Sequence, residues 1–524
     1  MNYLELSRAI GNSLLICLAC IAVAVPIGTG LAVLLMRTNI YGRRALAIAI
    51  GSQLAVPLYV FAGSWNAGFG SQGWWPLAQV LAVKFDSAAL FAVIFIHSVA
   101  AIPWVCLITW CGLMWSQRSL EESALSEAGN RAVLLRVILP GLQPWLLLSS
   151  FWVCVPILTE MVITNLYQVP TVAERVYLDA SRGTISPLTY PVAVALCMLP
   201  VVSLALLLTR RLPPWSEMIA RARQHSPVVL TWNSTNSRVT EAESRSAGTR
   251  GGAPYWRIIL SLGCWSLLLL LVYLPIANLI VKAGWQPYID ADSVTRYGWS
   301  LGRFLVTLRE SLTLFLPEFY WSAVLAVTAA SVAILSAAGL VKLAGQGWLR
   351  WIVGGLMLAL IGTPGALVGM LCISLMNRSE PAILGQMYDQ TLAAPVLAQQ
   401  FRLLPLAWLF VQGIVASIDQ RSWELAKLEG LSRWQRIRTL VLPQTGSLWL
   451  VAWLILMLVS VGELSTTILV LPPGVTTLSM RLFEMLHFGM RHQDSGLCLV
   501  LVLLGWIAAF ACWKTLFRSH PQSN

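Results

Sequence analysis

Residues 14–36 read LLICLACIAVAVPIGTGLAVLLM, 23 consecutive positions without a charged side chain. A helix needs roughly 20 apolar residues to span a bilayer. Runs that approach or exceed this length recur along the 524-residue chain, which is 57% hydrophobic and only 11% charged. A soluble domain carries about 25% charged residues. The fold class expected is therefore an all-α polytopic membrane protein. The first run continues into RTNIYGRR, with no basic segment before it and no cleavage site after it, so it reads as a retained span.

Eleven spans are expected. Five lie near 12–36, 45–64, 88–115, 143–166 and 187–209. Six more lie near 256–282, 318–342, 350–376, 395–418, 445–470 and 494–517. Residues 70–87 read as an outer loop. The net charge of +12 does not point to nucleic acid, because excess Lys and Arg in such a chain marks cytoplasmic loops. Arg37, Arg43, Arg44, Lys427, Arg433, Arg436, Arg438, Lys514 and Arg518 fall on one side, whereas Asp290, Asp292, Glu310 and Asp389 dilute the basic residues of the other. The N-terminus is then outside and the C-terminus cytoplasmic. Residues 210–255 are polar and bounded by Pro and Gly, a composition that cannot bury enough apolar surface to fold alone. They read as a cytoplasmic linker between a first half, 1–209, and a second, 256–524. The cysteines lie mostly inside apolar runs and read as small core residues. Cys17 and Cys20 form a CxxC within a span, with no second ligand pair for zinc.

Two polar segments repeat. RSLEESALSEAGNRAVLLRVILP begins at Arg118 and RSWELAKLEGLSRWQRIRTLVLP at Arg421. Glu121 aligns with Glu424 and Pro140 with Pro443, a constant offset of 303 residues that continues to Glu160 with Glu463 and Pro170 with Pro473. Pro103 and Pro405 match with one residue of slippage. The copies lie six expected spans apart, so both face the same side of the membrane: the repeat is parallel, unlike the inverted repeats of many secondary transporters. The first half has no counterpart of span 256–282, giving a 5+6 arrangement.

In the second copy Ser422 is a plausible N-cap, with Glu424 in the first turn where the helix dipole favours an acid. Gly430 permits a bend. Ser432 can cap a second short helix, on which Trp434, Ile437, Leu440 and Val441 recur on one face. Pro443 ends that helix or opens the next span. Two short helices at a glycine bend read as a docking element. An amphipathic loop resting on headgroups is the plainer reading of one copy, and two copies in register argue against it.

This segment resembles the "EAA" loop of ABC importer permeases in its Glu-x-Ala start, its Gly six residues after the Glu, and Leu-Pro thirteen residues after the Gly. Glu424, Ala426, Gly430, Leu442 and Pro443 fit that pattern. The first copy is degenerate: Glu121, Leu139 and Pro140 are in place, Glu127 occupies the Gly position, and Gly129 comes two residues late. The resemblance implies that both loops dock ATP-binding cassette subunits, two copies in all, through Glu121, Glu127, Gly129 and Pro140 in one (117–140) and Glu424, Ala426, Gly430 and Pro443 in the other (420–443). It also implies an extracytoplasmic solute-binding protein and a place in the bacterial plasma (inner) membrane. Two fused halves look like the importers of ferric iron and of thiamine. The chain has no G-x-x-x-x-G-K-[ST] phosphate loop, so ATP hydrolysis is expected from a separate subunit. No catalytic constellation, metal site or cofactor is expected, and the chain reads as a transport subunit rather than an enzyme.

Glu160 and Glu463 are the polar residues of most interest near spans. An ionisable group at membrane depth is a functional candidate, and their related positions suit a central pathway. The other reading places both at solvated span ends. QVPTVAERVYL and LPPGVTTLSMRLFEML read as gate segments, in which Arg175, Arg481 and Glu484 are available to pair with a binding protein. His97, Tyr167 and His487 read as packing or interfacial residues. Cargo is expected to be a small solute such as ferric iron, with thiamine, a polyamine or an oxyanion as alternatives. A secondary transporter with Glu160 or Glu463 as proton carrier is the competing class.

Overall fold

The computed structural model describes residues 3–518 apart from 71, 76–86, 117–119, 122, 125–126, 128–131, 183–254, 290–294, 346, 379 and 419. Seven helices are long and apolar enough to cross a membrane, and up to ten spans result if each of three bent helix pairs counts as one. These ten coincide with expected spans. The eleventh, at 187–209, and almost all of the 210–255 linker lie outside the described residues.

The helix α1 (Tyr3–Arg37) leads to a broken pair, α2 (Arg43–Ser52) and α3 (Leu58–Phe69), and then to α4 (Ser87–Trp115), which packs along α1. The expected span 45–64 is therefore not one rod: its two pieces meet at 105°. The cause is Pro57, which holds Val56 extended at φ −91°, ψ 121°. A π-helical turn, Leu134–Ile138, enters α5 (Gln143–Thr159) through a 55° bend. Pro144 supplies no N–H to the carbonyl of Pro140, which accounts for that bend. Short helices α6 (Val162–Leu166) and α7 (Val172–Ser181) follow.

A span made of α8 (Tyr255–Leu268) and α9 (Leu274–Gly284) comes next. It ends in an antiparallel hairpin, β1 (Trp285–Ile289) with β2 (Thr295–Trp299), the one sheet among the described residues of an otherwise helical chain. After α10 (Leu301–Thr313), α11 (Leu316–Ala344) precedes a second broken pair, α12 (Leu349–Gly362) and α13 (Gly365–Met376), again at 105° and again at a proline, Pro364. Helices α14 (Ala382–Gln390) and α15 (Ala393–Ala416) lead to the second loop, formed by α16 (Gln420–Leu428), α17 (Arg433–Arg436) and a π-helical turn, Ile437–Val441. Then come α18 (Leu442–Gly462), α19 (Leu478–His487) and α20 (His492–Arg518).

The backbone keeps the sequence register. The two π-helical turns that enter α5 and α18 begin at Leu134 and Ile437, which differ by the same offset of 303 as the motif residues. Glu160 and Glu463 terminate α5 and α18 in the same extended conformation. As α4 packs on α1, so α15 packs on α11. The span without a counterpart, α8–α9, packs on elements of the first half, and on α20 of the second: Arg257 Nε donates to the Asn39 carbonyl at 2.7 Å, the Tyr41 N–H donates to Ser261 Oγ at 3.0 Å, and α9 lies against α3 and α20. One core runs through α1–α5 and this span, and a second through α11, α12, α15 and α18. A third joins Tyr59, Val60 and Val162 to Leu464, Leu478 and Leu482, residues of both halves.

Candidate functional site

Two places collect the residues that the sequence singles out: the loop pair and the seam between the halves.

In the second loop, α16 begins at Gln420, so Ser422 lies inside the first turn and is not the N-cap expected of it. Gln and Arg are good helix formers, and Gln420 and Arg421 extend the helix by a further half turn. Gly430 has φ +74°, a left-handed conformation that ends α16 and suits glycine. Ser432 then caps α17 reciprocally: its Oγ accepts from the Gln435 N–H at 3.3 Å, and Gln435 Oε1 accepts from the Ser432 N–H at 2.8 Å. The Arg436 guanidinium lies over the Trp423 ring at 4.9 Å and braces the two short helices against each other. Pro443 stands in the first turn of α18, opening the span rather than ending the loop helix. Ala426 is buried, Glu424 is exposed, and the apolar Leu425, Leu428 and Trp434 stand 60%, 84% and 78% exposed.

The first loop is built differently. Glu121 is fully buried and pairs with Arg37 at the end of α1 at 2.8 Å. Ser116 Oγ donates to the same oxygen at 2.5 Å, and Arg37 also donates to the Leu113 carbonyl at 2.8 Å. Glu121 therefore ties its loop to α1 and α4, and presents no carboxylate at the surface as Glu424 does. Glu127 and Pro140 are exposed. Gly129 lies outside the described residues.

At the seam, Glu160 and Glu463 each cap the turn that follows their span. Glu160 Oε1 accepts from the Val162 N–H at 2.5 Å, and Glu463 Oε1 from the Thr466 N–H at 3.0 Å. Neither sits at a freely solvated end: they lie within electrostatic reach of each other and of Arg402. Arg402 Nε stands 3.8 Å from Glu463 Oε2, and its Nη1 donates to the Ile361 carbonyl at the break between α12 and α13. That break is tight. A side chain at Gly365 would place a Cβ 2.5 Å from the Ser465 side chain, so the broken helix and the turn after Glu463 close directly on each other. Sequence reasoning passed over Arg402, although it is the lone charged residue of the apolar span 393–416. A charge at a helix centre in the bilayer costs about 2.5–3.5 kcal/mol, and that signal was available.

Further hydrogen bonds join residues of 1–209 to residues of 256–524. His487 Nε2 shares a hydrogen bond with Asn165 Oδ1 at 3.1 Å, and Tyr59 Oη donates to the Val461 carbonyl at 3.1 Å. Tyr167 Oη donates to Asn66 Oδ1 at 2.7 Å, while His97 is buried. Arg481 pairs with Glu318 at 2.8 Å and with Glu484 at 3.5 Å, and Arg175 with Asp179 at 3.3 Å, so the charges expected to meet a binding protein have partners within the chain. Burial pushes the Glu174 carboxyl up, against the hydrogen bond from Asn165.

Residues 331–513 match the family described as "Binding-protein-dependent transport system inner membrane component". The chain is also similar to the protein named "Putative 2-aminoethylphosphonate transport system permease protein PhnV" of Salmonella typhi, 35% identical over 91 residues. The protein of the same name from Salmonella paratyphi A matches equally over the same length. Each match covers 17% of this chain and 34% of the relative, so the chain spans about a third of the relatives' length in it. These findings bear out the resemblance to ABC importer permeases, and with it an all-α, multi-pass inner-membrane fold.

Proposed function

We propose that the chain is the membrane-spanning permease of an ATP-driven importer. An extracytoplasmic binding protein delivers a small solute, and two separate ATP-binding cassette subunits dock at residues 117–140 and 420–443. The chain itself is a transport subunit that takes no part in ATP chemistry. The halves 1–209 and 256–524, joined by the linker 210–255, flank the pathway. The Lys and Arg distribution supports a cytoplasmic side for the loops and the C-terminus and an outer N-terminus.

The observation that carries this reading is the second loop. Its backbone is fixed by a left-handed glycine, a reciprocal cap and a cation–π brace, yet it holds Leu425, Leu428 and Trp434 out to solvent. A rigid apolar ridge rimmed by charge is the form of a protein-docking surface. The first loop docks less fully, because its motif glutamate is spent on Arg37. Glu160 and Glu463 belong to the pathway between the halves.

For cargo, the reading favours a small anionic solute over ferric iron. The similar proteins are named as putative 2-aminoethylphosphonate permeases. Uptake of labelled 2-aminoethylphosphonate into vesicles carrying the full transport system tests this. ATP-dependent uptake that stops without the chain is the expected result. Uptake that follows a proton gradient without ATP would replace this reading with the secondary transporter.

A further inference from the structure

Arg402 has no role in the loop mechanism and no counterpart in the first half, where the aligned position, one residue of slippage included, is Ala100. It lies nine residues into α15, roughly 13 Å along the helix at 1.5 Å per residue. That depth is close to the middle of a hydrocarbon layer about 30 Å thick. The residue is buried, with 8% of its surface exposed. Its only carboxylate contact among the described residues is long, 3.8 Å from Nε to Glu463, and it is not the bidentate fork of a satisfied Arg–carboxylate pair. Nη1 is held by a backbone carbonyl, and Nη2 makes no hydrogen bond among the described residues. In the same turn as Glu463, Thr466 Oγ1 is buried without a partner among them. Irregular backbone at membrane depth is tolerated where it is buried in protein or lines a cavity. Two such segments converge here, the α12–α13 break and the turn after Glu463.

We propose that Arg402 is the anion-recognising residue of a solute site at the seam, and that a small oxyanion, such as a phosphonate, takes the guanidinium while Glu463 gives way. The inference rests on the permease reading and its anionic cargo, and adds the residue that recognises that cargo. Glu463 serves as the internal stand-in that keeps the buried arginine compensated when no solute is present. Its single long contact makes it replaceable, whereas an oxyanion offers two oxygens to the planar fork.

The test uses full-length protein purified in gentle detergent with its ATPase subunit attached. The probes are ethylphosphonate, 2-aminoethylphosphonate and ethylamine, followed by ligand-observed NMR. Both phosphonates should bind and ethylamine should not. Arg402→Gln combined with Glu463→Gln removes both charges together and avoids stranding one. It should weaken phosphonate binding by about tenfold or more, the scale of one charge-assisted hydrogen bond, with the ATPase still attached. Arg402→Lys keeps the charge but loses the fork, and should weaken binding less. Equal phosphonate affinity in wild type and both variants would overturn the proposal, as would ethylamine binding as tightly as ethylphosphonate, or no phosphonate binding by the wild type. Loss of the ATPase from the wild type would instead count against the permease reading.

Discussion

The two loops share a register and diverge in what they do with one residue. In the second, Glu424 is exposed and the loop holds its shape by local means: a left-handed Gly430, the Ser432–Gln435 cap and Arg436 over Trp423. In the first, Leu120 and Val133 stand where the brace would be, Ala132 where the cap glutamine would be, and Glu127 where the glycine would be. Among its described residues, a buried ion pair reaches back to α1. The same glutamate is thus a surface group in one copy and an anchor in the other.

The largest effect should come from that anchor. Glu121→Ala removes the carboxylate paired with the buried Arg37 and should destabilise the folded protein by about 3–5 kcal/mol. Glu424→Ala, on an exposed carboxylate, should stay within about 0.5 kcal/mol. Thermal unfolding of the two variants in detergent measures the gap, and equal shifts would erase the distinction between the loops. Next comes Gly430→Ala, which forces a side chain into the left-handed region at a cost of roughly 1–2 kcal/mol. Its cost should appear as faster amide exchange across 420–443, with no comparable change in the first loop. Ser432→Ala removes a cap worth about 1 kcal/mol, read in the exchange of α17 alone. Smallest is Trp423→Leu, which gives the second loop the first loop's residue and loses a cation–π contact of about 0.5–1 kcal/mol. It should loosen α16 relative to α17 while leaving each helix formed.

Much of this was legible in the sequence. The spans follow from apolar runs, and the repeat register from Glu and Pro at a fixed offset reappears in the backbone at Ile437 and Glu463. The breaks at Val56–Pro57 and Thr363–Pro364 were not expected, although both carry the Pro that causes them. Hydropathy sums over a window and does not see direction, so a bent pair and a straight rod score alike. Glu121 misled for a different reason. Motif alignment assigns a residue its copy's role, but burial depends on Arg37, 84 residues away. Arg402 was missed because attention to paired residues passes over a charge present in one half only. The seam contacts, His487 with Asn165 and Tyr59 with Val461, join residues 322 and 402 positions apart and leave no local trace.

The most direct measurement is the amount of nucleotide-binding subunit that co-purifies with the full chain from native membranes. It should be made for the wild type, for Glu424→Arg with Gly430→Pro, and for Glu127→Arg in the first loop. The account predicts an ATPase on the wild type, its loss with the second-loop variant, and partial retention with the first-loop variant. No ATPase on the wild type even after crosslinking, or full retention by the second-loop variant, would contradict it.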